Sequence, residues 1–367
     1  MEIVGAAICR PSRLPLEGKL PTESGDEVFC ILHFAFCISN SLLFFLLNGA
    51  IIEPNKLKGR NKMEFLRFLE SIRNPILDFL MSSITLLGEE TLFMAVAVIF
   101  FWCLDKKRGY FLLFTGFIGT VCIQILKMAF RIPRPWVLDP KFTIVESARE
   151  AATGYSFPSG HTQISTDLYG GIARSSRYRA LQIGGWVIAA LVALSRMYLG
   201  VHTPLDVGVS LLIGAALVLI LYPIISRAYD KPKYMYVTIG VMLALTLANL
   251  LFVMLYPFPS DVDAVNLADA QKVAWQFFFL ILGLCIIYPF DRHLIDFQVN
   301  AVWWAQLLKV ALGLTILILI RTLLKAPFNF LFGVNLGSGL RYLIIVLFAG
   351  LLWPLTFRFW GRLGKMK

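Results

Sequence analysis

Residues 195–206 read SRMYLGVHTPLD. They separate two long apolar runs, near 180–199 and 204–225, and place Arg196, His202 and Asp206 where lipid-facing sequence carries no ionisable group. His202 and Asp206 are four apart, so at a helical entry the carboxylate meets the imidazole. Such a pair fixes the tautomer and raises the basicity of the far ring nitrogen, as in a nucleophile held by an acid. A turn through Gly200 folds Arg196 back, where its planar fork can grip a phosphate oxygen. The competing reading is a structural Arg196–Asp206 ion pair, which leaves His202 unexplained.

The surroundings set the class. The 367 residues are 58% hydrophobic and 16% charged, with a mean hydropathy of +0.72. A soluble domain cannot hide that much apolar surface, so the chain reads as an all-α, polytopic transmembrane bundle. The runs do not alternate as barrel strands do. The net charge of +11 sits in short clusters at the ends of apolar runs, a topological pattern with no basic stripe for nucleic acid. The six cysteines show neither a CxxC pair nor a disulfide framework and read as small core residues.

Apolar segments fall near 28–52, 65–87, 91–104, 109–130, 180–199, 204–225, 234–257, 273–290, 301–320 and 340–357, with a shorter helix at about 159–173. Three regions follow: an N-terminal extension at 1–62 with one candidate span, a catalytic core at 63–230 built of six helices, and a C-terminal region at 231–367 with four more spans. Met63 opens an amphipathic stretch that reads like a natural start. Residues 1–62 are therefore either untranslated in the native protein or an ordinary first span, and intact mass distinguishes the two. The basic clusters at 105–108, 174–179, 226–233 and the C-terminal tail belong in the cytoplasm. The loops 131–158, 199–203, 257–272 and 321–339 are then extracytoplasmic.

Two more stretches carry chemistry on that outer side. In KMAFRIPRP, Lys127 and Arg134 are seven apart, two helical turns, and Pro133 and Pro135 close the helix. Cations at an outer helix mouth run against the positive-inside trend unless an anion meets them. In PSGH, 158–161, Ser159 is a candidate cap and Gly160 permits close backbone approach. The free N–H groups of a helix start suit a phosphate, and His161 would point into the same pocket. A lone histidine is more often structural, but two of the four histidines lie in these stretches. Trp136, Tyr155 and Phe157 either line a head-group entrance or pack within their own loop. Trp303 and Trp304 read as an interfacial belt. Arg321, Lys325 and Arg341 either touch anionic lipid or mark an error in the C-terminal topology.

Lys-x6-Arg-Pro, Pro-Ser-Gly-His and Ser-Arg-x5-His-x3-Asp together resemble the three-part signature of the type-2 phosphatidic acid phosphatase superfamily, over roughly residues 63–225. The LLGEE at 86–90 is a weaker cue toward the branch with sphingosine-1-phosphate and dolichyl-diphosphate phosphatases. The resemblance implies a phosphohistidine formed on His202, oriented by Asp206. His161 would be the general acid, and Lys127, Arg134, Arg196, Ser159 and Gly160 would hold the phosphoryl oxygens. It implies no metal and no other cofactor. The expected activity is hydrolysis of a lipid phosphate at the outer face of a plasma membrane. Undecaprenyl diphosphate is the first substrate guess, ahead of phosphatidylglycerol phosphate and phosphatidate. Two alternatives remain: a lipid phosphotransferase using the same site, and a transporter or flippase in which the site is vestigial. Vanadate-dependent haloperoxidases share the constellation but are soluble. The last four spans are open between a homodimer surface, a lipid-handling groove and a partner site.

Overall fold

A computed structural model describes residues 61–363, and the expectations for 1–60 lie outside the described residues. Every regular element among these residues is helical. Seven helices are long and apolar enough to cross a membrane, or eight if one bent pair counts as a span. The chain is thus a multi-span membrane protein, although the expected count of six plus four is not reproduced.

The first difference lies at 65–87, read as one segment. It forms two helices, α1 (Asn61–Ser71) and α2 (Pro75–Thr85). Pro75 has no N–H to continue a helix, and the Asn74 side chain accepts from Leu77 N at 3.0 Å to start a new one. α3 (Glu90–Ile99) then bends 49° from α2 and continues in a wider turn, Phe100–Leu104. α1 is tied to the 131–158 loop by Arg67, which reaches Asp139 at 2.5 Å, and by Glu70, which accepts from Thr143 N at 2.8 Å.

α4 (Lys106–Phe130) is the central mast. Its most apolar window is 78% buried inside the protein, and it packs on α3, α5 (Gly160–Ser165, continuing to Ser175) and α7 (Pro204–Asp230). The Asp105 side chain caps it by accepting from Arg108 N at 3.0 Å. At the other end Arg131 turns left-handed, φ 50°, before Pro133 forbids continuation. α6 (Arg179–Tyr198) packs on α2 and α5.

The C-terminal region contributes α8 (Pro232–Leu255), α9 (Ala264–Phe290), α10 (Trp303–Leu323), α11 (Lys325–Phe332) and α12 (Val334–Leu347). The stretch 321–339, expected as an outer loop, is instead helical apart from a tight turn. Gly333 makes that turn at φ 76°, a conformation glycine adopts without a Cβ penalty. α9 packs on α12, α8 and α4, so the extension grips the mast directly. The window over Trp303–Phe332 is only 11% buried, which marks α10 as the lipid-facing wall. Trp303 projects from its first turn, 75% exposed, as an interfacial belt residue would.

Candidate active site

The twelve residues of the opening stretch fold as helix, turn and helix. α6 ends at Tyr198 and Gly200 turns at φ 81°. Thr203 and Asp206 then form a reciprocal capping box around Pro204 at the first helical position of α7. The Asp206 carboxylate accepts from Thr203 N at 2.8 Å and from the Ser156 hydroxyl at 2.5 Å, and it faces His202 Nδ1 at 3.5 Å. One carboxylate therefore starts the helix and orients the imidazole.

The other ring nitrogen, Nε2, lies 3.0 Å from Arg134 Nη1. A guanidinium has only donors, so Nε2 is the acceptor and the proton sits on Nδ1, toward Asp206. Burial, and then the positive field of Arg134, Arg196 and Lys127, push the His202 imidazole well below its ordinary pKa. The ring is held neutral, with the Nε2 lone pair available.

Arg134 is fixed by three carbonyls: Thr153 at 2.5 Å, Val201 at 3.0 Å and Gly154 at 3.1 Å. Helical periodicity does not bring it beside Lys127, because α4 has ended before it. The extended stretch after Arg131 delivers it instead. Lys127 still lies within electrostatic reach of Arg134, Arg196 and Asp206. Arg196 is fully buried and gives one N–H to Thr85 Oγ1 at 2.9 Å, while its Nε and Nη2 have no partner. It makes no ion pair with Asp206, whose carboxylate bonds Ser156 and Thr203, so the structural-pair reading fails.

Ser159 begins α5 but does not cap it with its side chain. Its hydroxyl accepts from Thr162 Oγ1 at 3.0 Å, which leaves its own hydrogen to give away. Beside it a Cβ on Gly160 would meet nothing within 4 Å, so the first turn of α5 opens onto free space. His161 Nε2 is buried and unpartnered, and His161 and His202 lie within each other's field. Every site residue expected from sequence is thus brought to one place. What remains is a neutral imidazole in the field of three cations, with buried nitrogens of Arg196 and His161 that have no partner in the protein. Buried donors are otherwise almost always paired, and this arrangement fits a tetrahedral oxyanion.

Sequence reasoning missed Ser156, Thr85 and the Thr153–Gly154 carbonyls, which position the others. Only Thr203 had a legible signal, the T-P-L-D capping pattern. Tyr155 and Phe157 are buried and pack within the protein: Phe157 lies edge-on to Phe130, and the Tyr155 hydroxyl accepts from Asp263 N at 3.2 Å. Both are thus held by the ends of neighbouring helices, α4 and α9, rather than by their own loop.

Residues 108–230 match the PAP2 superfamily, and residues 277–365 match the PAP2 superfamily phosphatase transmembrane extension. The chain is 29% identical over 203 residues to phosphatidylglycerophosphatase B of Bacillus subtilis, covering 52% of this chain and 94% of that protein. It is 30% identical over 153 residues to undecaprenyl-diphosphatase BcrC of B. subtilis, covering 39% and 72%. Sphingosine-1-phosphate phosphatases also match, but over only 39% of their own length. The crystal structure of Aquifex aeolicus LpxE superposes with a TM-score of 0.41 at 26% identity, covering 45% of this chain and 97% of that one.

Proposed function

The chain belongs to the PAP2 superfamily, and from that membership we propose that it hydrolyses a lipid phosphate or diphosphate through a phosphohistidine on His202. The observation that carries this reading is the 3.0 Å approach of Arg134 to a deprotonated His202 Nε2 whose other nitrogen faces Asp206. In the first step Nε2 attacks phosphorus and the bond from phosphorus to the lipid-side oxygen breaks. Burial and the field of Arg196, Lys127 and Arg134 hold His161 down to a pKa of about 3. The negative charge of the bound phosphate offsets that field, so the ring takes up a proton from water and gives it to the leaving oxygen. The ring becomes cationic with Nδ1–H retained, and Asp206 stabilises the charge. In the second step water attacks phosphorus, His161 takes the water's proton, and the P–N bond breaks to release phosphate. Arg134, Arg196, Lys127, the Ser159 hydroxyl and the N–H groups at the start of α5 hold the equatorial oxygens as charge moves.

The site opens at the outer face of a plasma membrane in this reading. Lys107, paired with Asp230 at 2.8 Å, and Lys231 lie at the ends of α4 and α7 opposite Lys127 and Asp206, where basic residues belong in the cytoplasm. An outward site suits undecaprenyl diphosphate first, with phosphatidylglycerol phosphate and phosphatidate next. The names of two relatives support the first two of these choices. The division into a core ending near residue 230 and an accessory extension belongs to the same proposal.

The test is phosphate release from a panel of these lipids in detergent, with EDTA present, for the native protein and His202→Ala. Release that survives EDTA and disappears in the variant supports the reading. Undiminished release by the variant, or none by folded native protein, overturns it.

A further inference from the structure

A cavity of about 220 Å³ lies between the catalytic core and the C-terminal extension. The core side is furnished by α3 and α4 and the other side by α9, α10 and α12. Its volume is more than ten times the ~10–15 Å³ that holds one water. The lining is overwhelmingly apolar, with Phe93, Leu113, Leu280, Leu317 and Val346 typical. Water there would lack the hydrogen-bond partners it needs. The cavity is partly open at its rim, where Glu90, Ile318 and Arg321 are exposed, so an apolar chain can enter it and make the contacts that its walls otherwise lack.

The cavity has a direction. Its charged lining groups, Glu90 and Arg321, are at one end, with Tyr342 beside them. Glu90 is two residues after Gly88, where a Cβ would sit 2.9 Å from the His161 carbonyl oxygen. Ile164, one turn beyond His161 on α5, also lines the cavity. The charged end therefore lies next to the start of the catalytic helix. The opposite end, at Phe101 and Tyr110, approaches the basic loop that begins α4. Tyr110 to Thr120 spans ten residues of α4, about 15 Å at ~1.5 Å per residue. That is half of a hydrocarbon core about 30 Å thick, the depth of one leaflet. Arg341 adjoins the charged end within the field of Arg321, 6% exposed, with Nε and Nη1 unpartnered. Two guanidinium groups at this end complement an anionic head group.

We propose that this cavity receives one hydrocarbon chain of the lipid whose phosphate occupies the His202 site, making the extension the tail-binding half of the substrate site. The proposal rests on the lipid-phosphatase reading above. It explains why an apolar extension adjoins a core that already holds a complete constellation. It also explains why the extension touches the catalytic loop, through Tyr155 and Asp263, and lies within the field of Lys127 through Asp269.

The test uses a long-chain alkyl phosphate carrying a photoreactive diazirine near the chain end, with native and His202→Ala full-length protein in detergent. Labels are expected on 277–287 and 314–321, reduced by unlabelled alkyl phosphate but not by phosphatidylcholine. Labels confined to other helices overturn the proposal. Equal competition by phosphatidylcholine also overturns it, because the chain would then belong to a resident lipid. A second measurement fills the space with Leu317→Trp. Long-chain kcat/KM should fall about tenfold, through KM, while a water-soluble aryl phosphate is unaffected. No change for either substrate overturns the proposal. Phosphate-dependent labelling of the cavity without phosphate release would sink the hydrolysis and leave the tail site standing. Release with labels elsewhere would sink the tail site alone.

Discussion

Two of the places where the described residues hold positive charge away from water do so in opposite ways. Near the start of α4, Lys106 Nζ meets the Asp291 carboxylate at 2.6 Å and sits 3.9 Å above the Phe297 ring, so one cation has one anion and a ring face. At the far end, Lys127, Arg134 and Arg196 act on His202, with Asp206 facing the ring and Asp269 and Glu89 within the field of Lys127 and Arg196, and Arg196 keeps two orphan nitrogens. The first arrangement satisfies itself and clamps the extension onto the mast. The second is costly unless a ligand completes it. The difference between a structural and a functional buried charge is thus the unmatched remainder, and substitutions should separate the two regions.

The largest effect is expected for His202→Ala. Removing the nucleophile should lower kcat by more than about 10⁴-fold, as loss of a covalent catalyst does elsewhere. The folded protein should be retained, since no buried cation loses an anion. Thermal unfolding in detergent checks the second half; an unfolded variant would make His202 a structural residue. Arg196→Gln comes next, with kcat lower by about 10²–10³-fold, the scale of one lost oxyanion donor. Stability should hold or rise, because an under-partnered buried charge is removed. A marked loss of stability would place Arg196 with Lys106 on the structural side.

Lys106→Met should invert that pattern. It strands Asp291, 4% exposed at its side chain, without its cation, and breaking such a pair costs about 3–5 kcal/mol. Activity per folded molecule should stay within a few-fold. Lys106→Met with Asp291→Leu should regain most of the stability, because two apolar groups replace two charges. Failure of the double variant to recover would mean that the Phe297 and Tyr110 contacts, rather than the ion pair, hold this joint.

The contrast also explains what could be read from the sequence. The site residues were legible because each is an ionisable or capping group in a background 58% hydrophobic. There, Lys127, Arg134, His161, Arg196, His202 and Asp206 stand out against the bilayer's demands. The spans α4 and α6 to α9 were legible as long apolar runs, although α9 begins at Ala264, inside the stretch 257–272 expected as an outer loop. The break at Asn74–Pro75 was hidden because the flanking residues keep an apolar period through it. The helix over 325–332 was hidden because its lysine and asparagine read as loop. Thr85 gave no signal, since a hydroxyl in an apolar run commonly bonds its own helix backbone, and Ser156 gave none because a serine in a loop is unremarkable; only the folded chain aims these two across to Asp206 and Arg196. The cavity was invisible because Leu, Phe and Val lining a hole spell the same sequence as Leu, Phe and Val filling one.

The smallest effect is the most discriminating. His202 is held neutral by burial and by the field of Arg134, Arg196 and Lys127. A depressed pKa keeps the neutral, nucleophilic form as pH falls through the ordinary imidazole value of about 6.5. Any acid limb of kcat/KM set by this ring must therefore lie below that value. Removing one cation raises the ring's pKa toward the ordinary one. The residual activity of Arg196→Gln should thus lose its acid limb at higher pH than the native protein does. Lys106→Met, near the opposite end of α4, should leave the limb where it was. A limb that moves with Lys106 and not with Arg196 would mean that the two charged regions communicate through the mast, and that their separation into structural and catalytic charge is wrong.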